Sequence, residues 1–154
     1  MLRLDELDRR IVASLAADAR TSYRTIGAEV GLSAPAVKRR VDRLLDEGVI
    51  ERFTTVLDPR ALGWSVEVFV EMFCEGRTPP GVIGTTLAKY PEVVAAYTIT
   101  GDPDAMVHVR ASDTPHLEAT LERIRSEPFV IRTRSVMVLS RLLERQVPLD
   151  LELG

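Results

Sequence analysis

The chain has 154 residues, a hydrophobic fraction of 45% and nine each of glycine and proline. This is enough apolar material for one or two folded domains, and it excludes a disordered or fibrous chain. A net charge of −3 excludes attraction to nucleic acid by bulk charge, although residues 1–60 hold 11 Lys/Arg against 10 Asp/Glu and residues 61–154 hold 9 against 13. A lone cysteine, Cys74, excludes an intramolecular disulfide and a cysteine metal cluster and reads as a small buried hydrophobe. No run approaches the ~18 apolar residues of a membrane span, and MLRLDELDRR has no apolar signal core, so a reducing cytoplasm is expected and a membrane is not.

In chain order, Leu4, Leu7, Ile11 and Leu15 keep helical spacing, with Val12 widening the stripe and Asp5, Glu6, Asp8, Arg9 and Arg10 mostly outside it. Thr21 or Ser22 then caps a second, short helix with Ile26, Ala28 and Val30 on its apolar side, ended at Gly31. Ser33 caps a third helix, with Pro35 in the first turn, an inward stripe of Val37, Val41, Leu44 and Leu45, and an exit at Gly48. Two short helices about a three-residue, glycine-containing turn form a helix-turn-helix. The third helix carries Lys38, Arg39, Arg40 and Arg43 on its outer faces, with Asp42, Asp46 and Glu47 towards its end. The basic half is the amino-terminal half, the part of a recognition helix that enters the major groove. An extended run from Val49 through Phe53 to Leu57 would form a wing or a linker strand before Asp58 and Pro59. The first domain is therefore placed at residues 1–60.

After Gly63 the period changes to two. Val66, Val68, Val70, Met72 and Cys74 alternate with Glu67, Phe69, Glu71, Phe73 and Glu75, a strand whose second face is partly apolar and wants a second sheet or a second subunit. A short helix over Val82 or Ile83, Leu87 and Tyr90 ends at Pro91. Strands at Val93 to Thr100 and Ala105 to Ala111 flank a Gly-Asp-Pro-Asp turn. Thr114 with Pro115 opens a helix along Leu117, Leu121 and Ile124, and Phe129 to Ser140 supplies a fourth strand. The order βαββαβ is the ferredoxin-like arrangement, so the expected class is α+β: a winged helix-turn-helix followed by a βαββαβ domain over residues 61–154. Alternating Leu149, Leu151 and Leu153 suggest that the tail pairs with another subunit.

The segments LDELDRRIVASLAADAR and GLSAPAVKRRVDRLLDEGVIERFTTVLDPRALG, followed by TITGDPDAMVHVRA, resemble the Lrp/AsnC (leucine-responsive, or feast/famine) family of transcription regulators over nearly the whole chain. The resemblance implies binding of double-stranded DNA, an amino-acid effector, no cofactor, and a homodimer that assembles into a higher even-numbered oligomer such as an octamer. One departure is Pro103, where the family often has an aromatic residue between the two acids of the loop; it bears on which effector is taken.

For DNA, Ser33, Ala34, Pro35, Lys38 and Arg39 are expected at the groove, and Arg20, Thr21, Ser22, Tyr23 and Arg43 at phosphates, which set register without reading sequence. Arg40, next to core residue Val41, could equally pair with an acid of the first helix such as Asp8. The loop from Thr100 to Asp104 reads on its residues as a hairpin turn. The resemblance makes it, with the last strand, an effector site at a subunit interface, with Thr98, Gly101, Asp102, Asp104, Thr133 and Ser135 as candidates. Acids there suit an ammonium, and the Gly101 N–H suits a carboxylate. No phosphate loop, metal-ligand cluster or nucleophile elbow is present. His108 and His116 have no Ser, Cys or acid at catalytic spacing and are expected to be structural. Two alternatives remain: an enzyme like the siroheme decarboxylases of the same architecture, using His108, Arg110 or His116, and an architectural DNA-binding protein without an effector.

Overall fold

The computed structural model describes residues 4–144. They form two compact units, residues 4–56 and 57–144.

The first unit holds α1 (Glu6–Ala17), α2 (Tyr23–Val30) and α3 (Ala34–Asp46). Their starts follow from side-chain caps. Asp5 and Asp8 form a capping box on α1, Ser22 accepts from Thr25 N–H, and Ser33 accepts from Ala36 N–H with Pro35 in the first turn. Ile11, Leu15, Ile26, Val30, Val37 and Val41 form the core, with Leu7, Tyr23, Leu32, Leu45 and Ile50 packed against it. Two positions differ from the hydropathy pattern. Ala28 is exposed and Gly27 takes its place on the inner side of α2. The reason is the tightness of the turn: a Cβ on Gly27 would lie 2.4 Å from the Leu32 carbonyl oxygen. Asp8, expected on the solvent side of α1, is 1% exposed.

The run after Gly48 forms no strand between residues 51 and 58, so the expected wing is not formed by this chain alone; Phe53, Val56 and Leu57 are exposed there. A single polypeptide offers the backbone of this run no partner strand among the described residues.

The second unit contains β1 (Val66–Cys74), α4 (Pro80–Leu87), β2 (Val93–Thr98), β3 (Ala105–Ala111), α5 (Thr114–Arg125) and β4 (Val130–Met137). The sheet order is β2-β3-β1-β4, and the β1–β3, β1–β4 and β2–β3 pairs are antiparallel. Period-two burial explains the layering. Val68, Val70, Met72 and Cys74 of β1 and Ala105, Val107, Val109 and Ala111 of β3 are buried with Ile83 and Leu87 of α4 and Leu117, Leu121 and Ile124 of α5. Burial of each such branched side chain contributes ~1.5–3 kcal/mol. The β4 strand ends at Met137, short of the expected Ser140, and the alternating leucines of the tail lie outside the described residues.

Gly27→Ala should lower the stability of the first unit by ~1–3 kcal/mol in urea denaturation, because backbone overlap outweighs the better helix propensity of alanine. Gly84→Ala, on the exposed side of α4 with nothing within 4 Å of the added Cβ, should instead gain ~0.5–1 kcal/mol.

Candidate nucleic-acid interface and effector site

The inner face of α3 is fixed by Val37, Val41 and Leu44, all fully buried, which turns Arg39 outward. Its cations then divide by partner. Arg40 Nη1 donates to Asp5 Oδ2 at 2.6 Å and Asp8 Oδ1 at 2.8 Å; Arg43 Nη2 donates to Asp8 Oδ2 at 2.5 Å, with its Nε 3.7 Å from Glu47. The pairing of Arg40 with Asp8 is the one the sequence suggested. Arg43, expected to be free for phosphates, is held at one edge by the same carboxylate, and its side chain is 46% exposed. Lys38 Nζ pairs with Asp42 at 2.5 Å along the exposed face, and that carboxylate raises its pKa. An exposed pair of this kind is weak and open to exchange. Arg39 has no ion pair among the described residues, and neither have Arg20 and Arg24, an exposed cation of α2 absent from the expected set. The signal for Arg24 lay two residues beyond the Ser22 cap.

Around the start of α2, Arg20 N–H donates to Asp18 Oδ1 at 2.8 Å, and the Ser22 hydroxyl is shared between the Thr25 N–H and hydroxyl. Tyr23 packs against the core and Thr21 is half-buried. Ser33, Pro35 and Lys38 are exposed and Ala34 is half-buried, so all four reach the same end of α3.

In the second unit, Gly101 takes a positive φ of 116° in the loop between β2 and β3, and Thr98 pairs with Ala105 just before it. Asp104 is a fastener of the sheet end: its N–H donates to the Met72 carbonyl at 2.9 Å and its Oδ2 accepts from Cys74 N–H at 2.7 Å. Thr133 lies opposite Met72 on the far side of β1, and its hydroxyl accepts from Arg125 Nε at 2.9 Å. Ser135 is opposite Val70, a further two residues along. Thr133 is thus two strand spacings from the loop, about 10 Å. Gly101, Asp102 and Asp104 share one loop with Thr98 at its edge, whereas Thr133 and Ser135 lie on β4, across β1 from it.

The face of the sheet away from the helices mixes apolar and charged groups. Phe69 stacks on His108 with ring centroids 4.6 Å apart, and the Arg132 guanidinium lies 3.6 Å from the Phe73 ring centroid. Glu67 takes His108 Nε2 at 2.6 Å, Arg110 at 3.3 Å and Arg141 at 3.2 Å. Burial pushes the Glu67 carboxyl up, but these hydrogen bonds outweigh it and hold the group below its ordinary value.

His116 has partners that chain spacing did not reveal: Ser112 Oγ at 3.0 Å from Nδ1 and Glu92 Oε1 at 3.0 Å from Nε2. The Ser112 N–H also points at Nδ1, while Asp113 accepts from His116 N–H and caps α5. The ring is a strut between the residue preceding β2 and the start of α5.

Comparison with known proteins decides the class. Residues 67–148 match the Lrp/AsnC ligand binding domain and residues 4–45 the AsnC-type helix-turn-helix domain. The chain belongs to the Lrp/AsnC family of transcriptional regulators. It is 54% identical over 148 residues to the HTH-type transcriptional regulator Rv2324 of Mycobacterium tuberculosis, covering 96% of this chain and 100% of that protein. It is 36% identical to the HTH-type transcriptional regulator FL11 of Pyrococcus horikoshii, covering 88% and 89%. A solved structure of the feast or famine regulatory protein Rv3291c of M. tuberculosis complexed with L-methionine superposes with a TM-score of 0.87 at 31% identity, covering 96% of this chain and 99% of that one. These relatives are named as transcriptional regulators, and in this chain His108 is engaged by Glu67 and His116 by Ser112 and Glu92. No described helix is long and apolar enough to cross a membrane.

The Asp5 carboxyl is held below its ordinary 3.8, first by the Arg40 hydrogen bond and then by the Asp8 N–H. A lowered folded-state pKa means that this interaction stabilises above about pH 4 and is lost as pH falls through the folded value. In an NMR titration the Asp5 midpoint should lie below 3.8 and move up towards it in Arg40→Gln; an unchanged midpoint would remove Arg40 as the cause.

Proposed function

We propose that this regulator reads DNA in the cytoplasm with the amino-terminal half of α3 and responds to an amino acid bound where two chains meet at the β2–β3 loop. The observation that supports DNA reading is the division of the α3 cations: Arg39 projects from the locked helix unpaired among the described residues, beside a loosely paired Lys38. Ser33, Ala34, Pro35, Lys38 and Arg39 face the major groove. Arg20, Thr21, Ser22 and Tyr23 at the start of α2, together with Arg43, meet phosphates. An arginine fork matches guanine O6 and N7, so Arg39 carries sequence preference while Arg20 carries affinity without it.

The L-methionine in the M. tuberculosis relative supports an amino acid as the effector class. Asp102 receives the ammonium, Gly101 N–H the carboxylate, and Thr98 and Asp104 shape the loop. Thr133 and Ser135 are too far from the loop in one chain, so they act on a ligand held at a neighbouring chain's loop. Chains join through the outer sheet face around Phe69 and Phe73 into a dimer, and dimers into a higher even-numbered oligomer.

Arg39→Ala should cost ~1–3 kcal/mol at a specific site and relax base preference there, whereas Arg20→Ala should weaken binding about equally on all sequences. Equal losses on specific and random duplexes for both variants would reject the groove assignment of Arg39. In a thermal-shift screen of the twenty amino acids, at least one should raise the melting temperature of the native chain by linkage, and Asp102→Ala should abolish the shift. No shift with any amino acid at millimolar concentration would reject the sensing role. Phe69→Asp should yield smaller species or aggregates in light scattering, and an unchanged oligomer would move the interface elsewhere.

A further inference from the structure

We propose that Asp8 is a positioning residue for DNA binding: a buried carboxylate on α1 that grips one edge of the Arg43 guanidinium and leaves the opposite edge presented to a DNA phosphate. The proposal rests on the reading of Arg43 as a phosphate contact and adds the device that orients it.

Asp8 is 1% exposed. Its Oδ1 takes Arg40 Nη1 at 2.8 Å, and its Oδ2 takes Arg43 Nη2 at 2.5 Å and the Asp5 N–H at 3.3 Å. Both oxygens are therefore satisfied from α3 and from the cap of α1. Stability alone gives little reason for such a cluster, because a buried ion pair can often be replaced by apolar side chains of similar volume without loss. What ions fix, and apolar contacts do not, is the direction of each donor.

Arg43 is the member on which direction matters. Its side chain is 46% exposed, against 27% for Arg40, which Asp5 and Asp8 engage together. Nη2 is occupied by Asp8 and Nε faces Glu47 at 3.7 Å, while Nη1 has no hydrogen-bond partner among the described residues. A free arginine on a helix surface loses rotamer freedom when it meets a phosphate; one already held at its inner edge loses much less. Only the guanidinium can serve two acids at once in this way, since its five donors lie in one rigid plane and a lysine ammonium is a single point charge. The buried carboxylate thus does for the phosphate-binding cation what Val37, Val41 and Leu44 do for the helix as a whole.

The test is DNA binding by the full chain to a random-sequence duplex, followed by fluorescence anisotropy over a range of salt concentrations, with folding checked by circular dichroism. Arg43→Ala should make the plot of log affinity against log salt shallower by about 0.9 per bound chain, the loss of one phosphate contact. Arg43→Lys keeps the charge, so its slope should equal that of the native chain, but its affinity should fall about tenfold because the clamp is lost. Asp8→Asn should show the same pair of results, native slope and about tenfold weaker binding, and should add no further loss in an Arg43→Ala background. Because Arg43→Lys alters only a half-exposed side chain, it keeps the test open should Asp8→Asn fold poorly. Native affinity in Arg43→Lys, or an equal loss from Asp8→Asn with and without Arg43, would overturn the positioning role. An unchanged slope in Arg43→Ala would show instead that Arg43 meets no phosphate, which is failure of the underlying reading.

Discussion

A carboxylate removed from water must be matched by charge and by hydrogen bonds, and Asp8 is matched by the two arginines that flank the buried stripe of α3. This one constraint ties the first helix to the third and fixes the rotation of α3 about its own axis. The apolar stripe alone would tolerate sliding, since dispersion and hydrophobic burial are not directional. With Asp5 joining Arg40 from the α1 cap, the ion cluster also links the start of α1 to the middle of α3. The outward arc of α3 is what remains after this locking, and it holds the groups that the account assigns to DNA.

The second unit works by a different division. Its sheet buries one face under α4 and α5 and leaves the other carrying Phe69, Phe73, Glu67 and their cationic partners. That face is neither a solvated polar surface nor a closed core. Aromatic rings paired with histidine and arginine suit contact with another protein surface, where an apolar body and a polar tip are both used. The proposed effector residues are spread across the same sheet, with Asp104 and Thr133 on opposite sides of β1.

Much of this was legible in the chain because helices and strands leave their period in the apolar residues. Ser22 and Ser33 mark helix starts, and Val68, Val70, Met72 and Cys74 mark the buried face of a strand; each depends only on local spacing. Hydropathy sorts Asp8 to the solvent, yet it stands three and seven residues before Ile11 and Leu15, on the same helix face. Its pairing with Arg40 was legible in the sequence, and its burial follows from a stripe position that faces the arginines of α3. The hold of Asp8 on Arg43 is not legible locally, since the two residues lie 35 positions apart. Gly27 reaches inward only because the Leu32 carbonyl leaves room for nothing larger. The expected wing is absent for a physical reason too: a strand needs a partner for its backbone groups, and residues 51–58 have none among the described residues.

Whether the amino-terminal half of α3 reads sequence is tested most directly by selection of binding sites from a random pool of duplexes by the native chain. The expected result is enrichment of an inverted repeat with half-sites separated by one helical turn or a multiple of it, ~10 base pairs centre to centre, with the guanine preference at one half-site position lost in Arg39→Ala. Enrichment of no motif, or the same motif recovered unchanged with Arg39→Ala and Lys38→Ala combined, would contradict it.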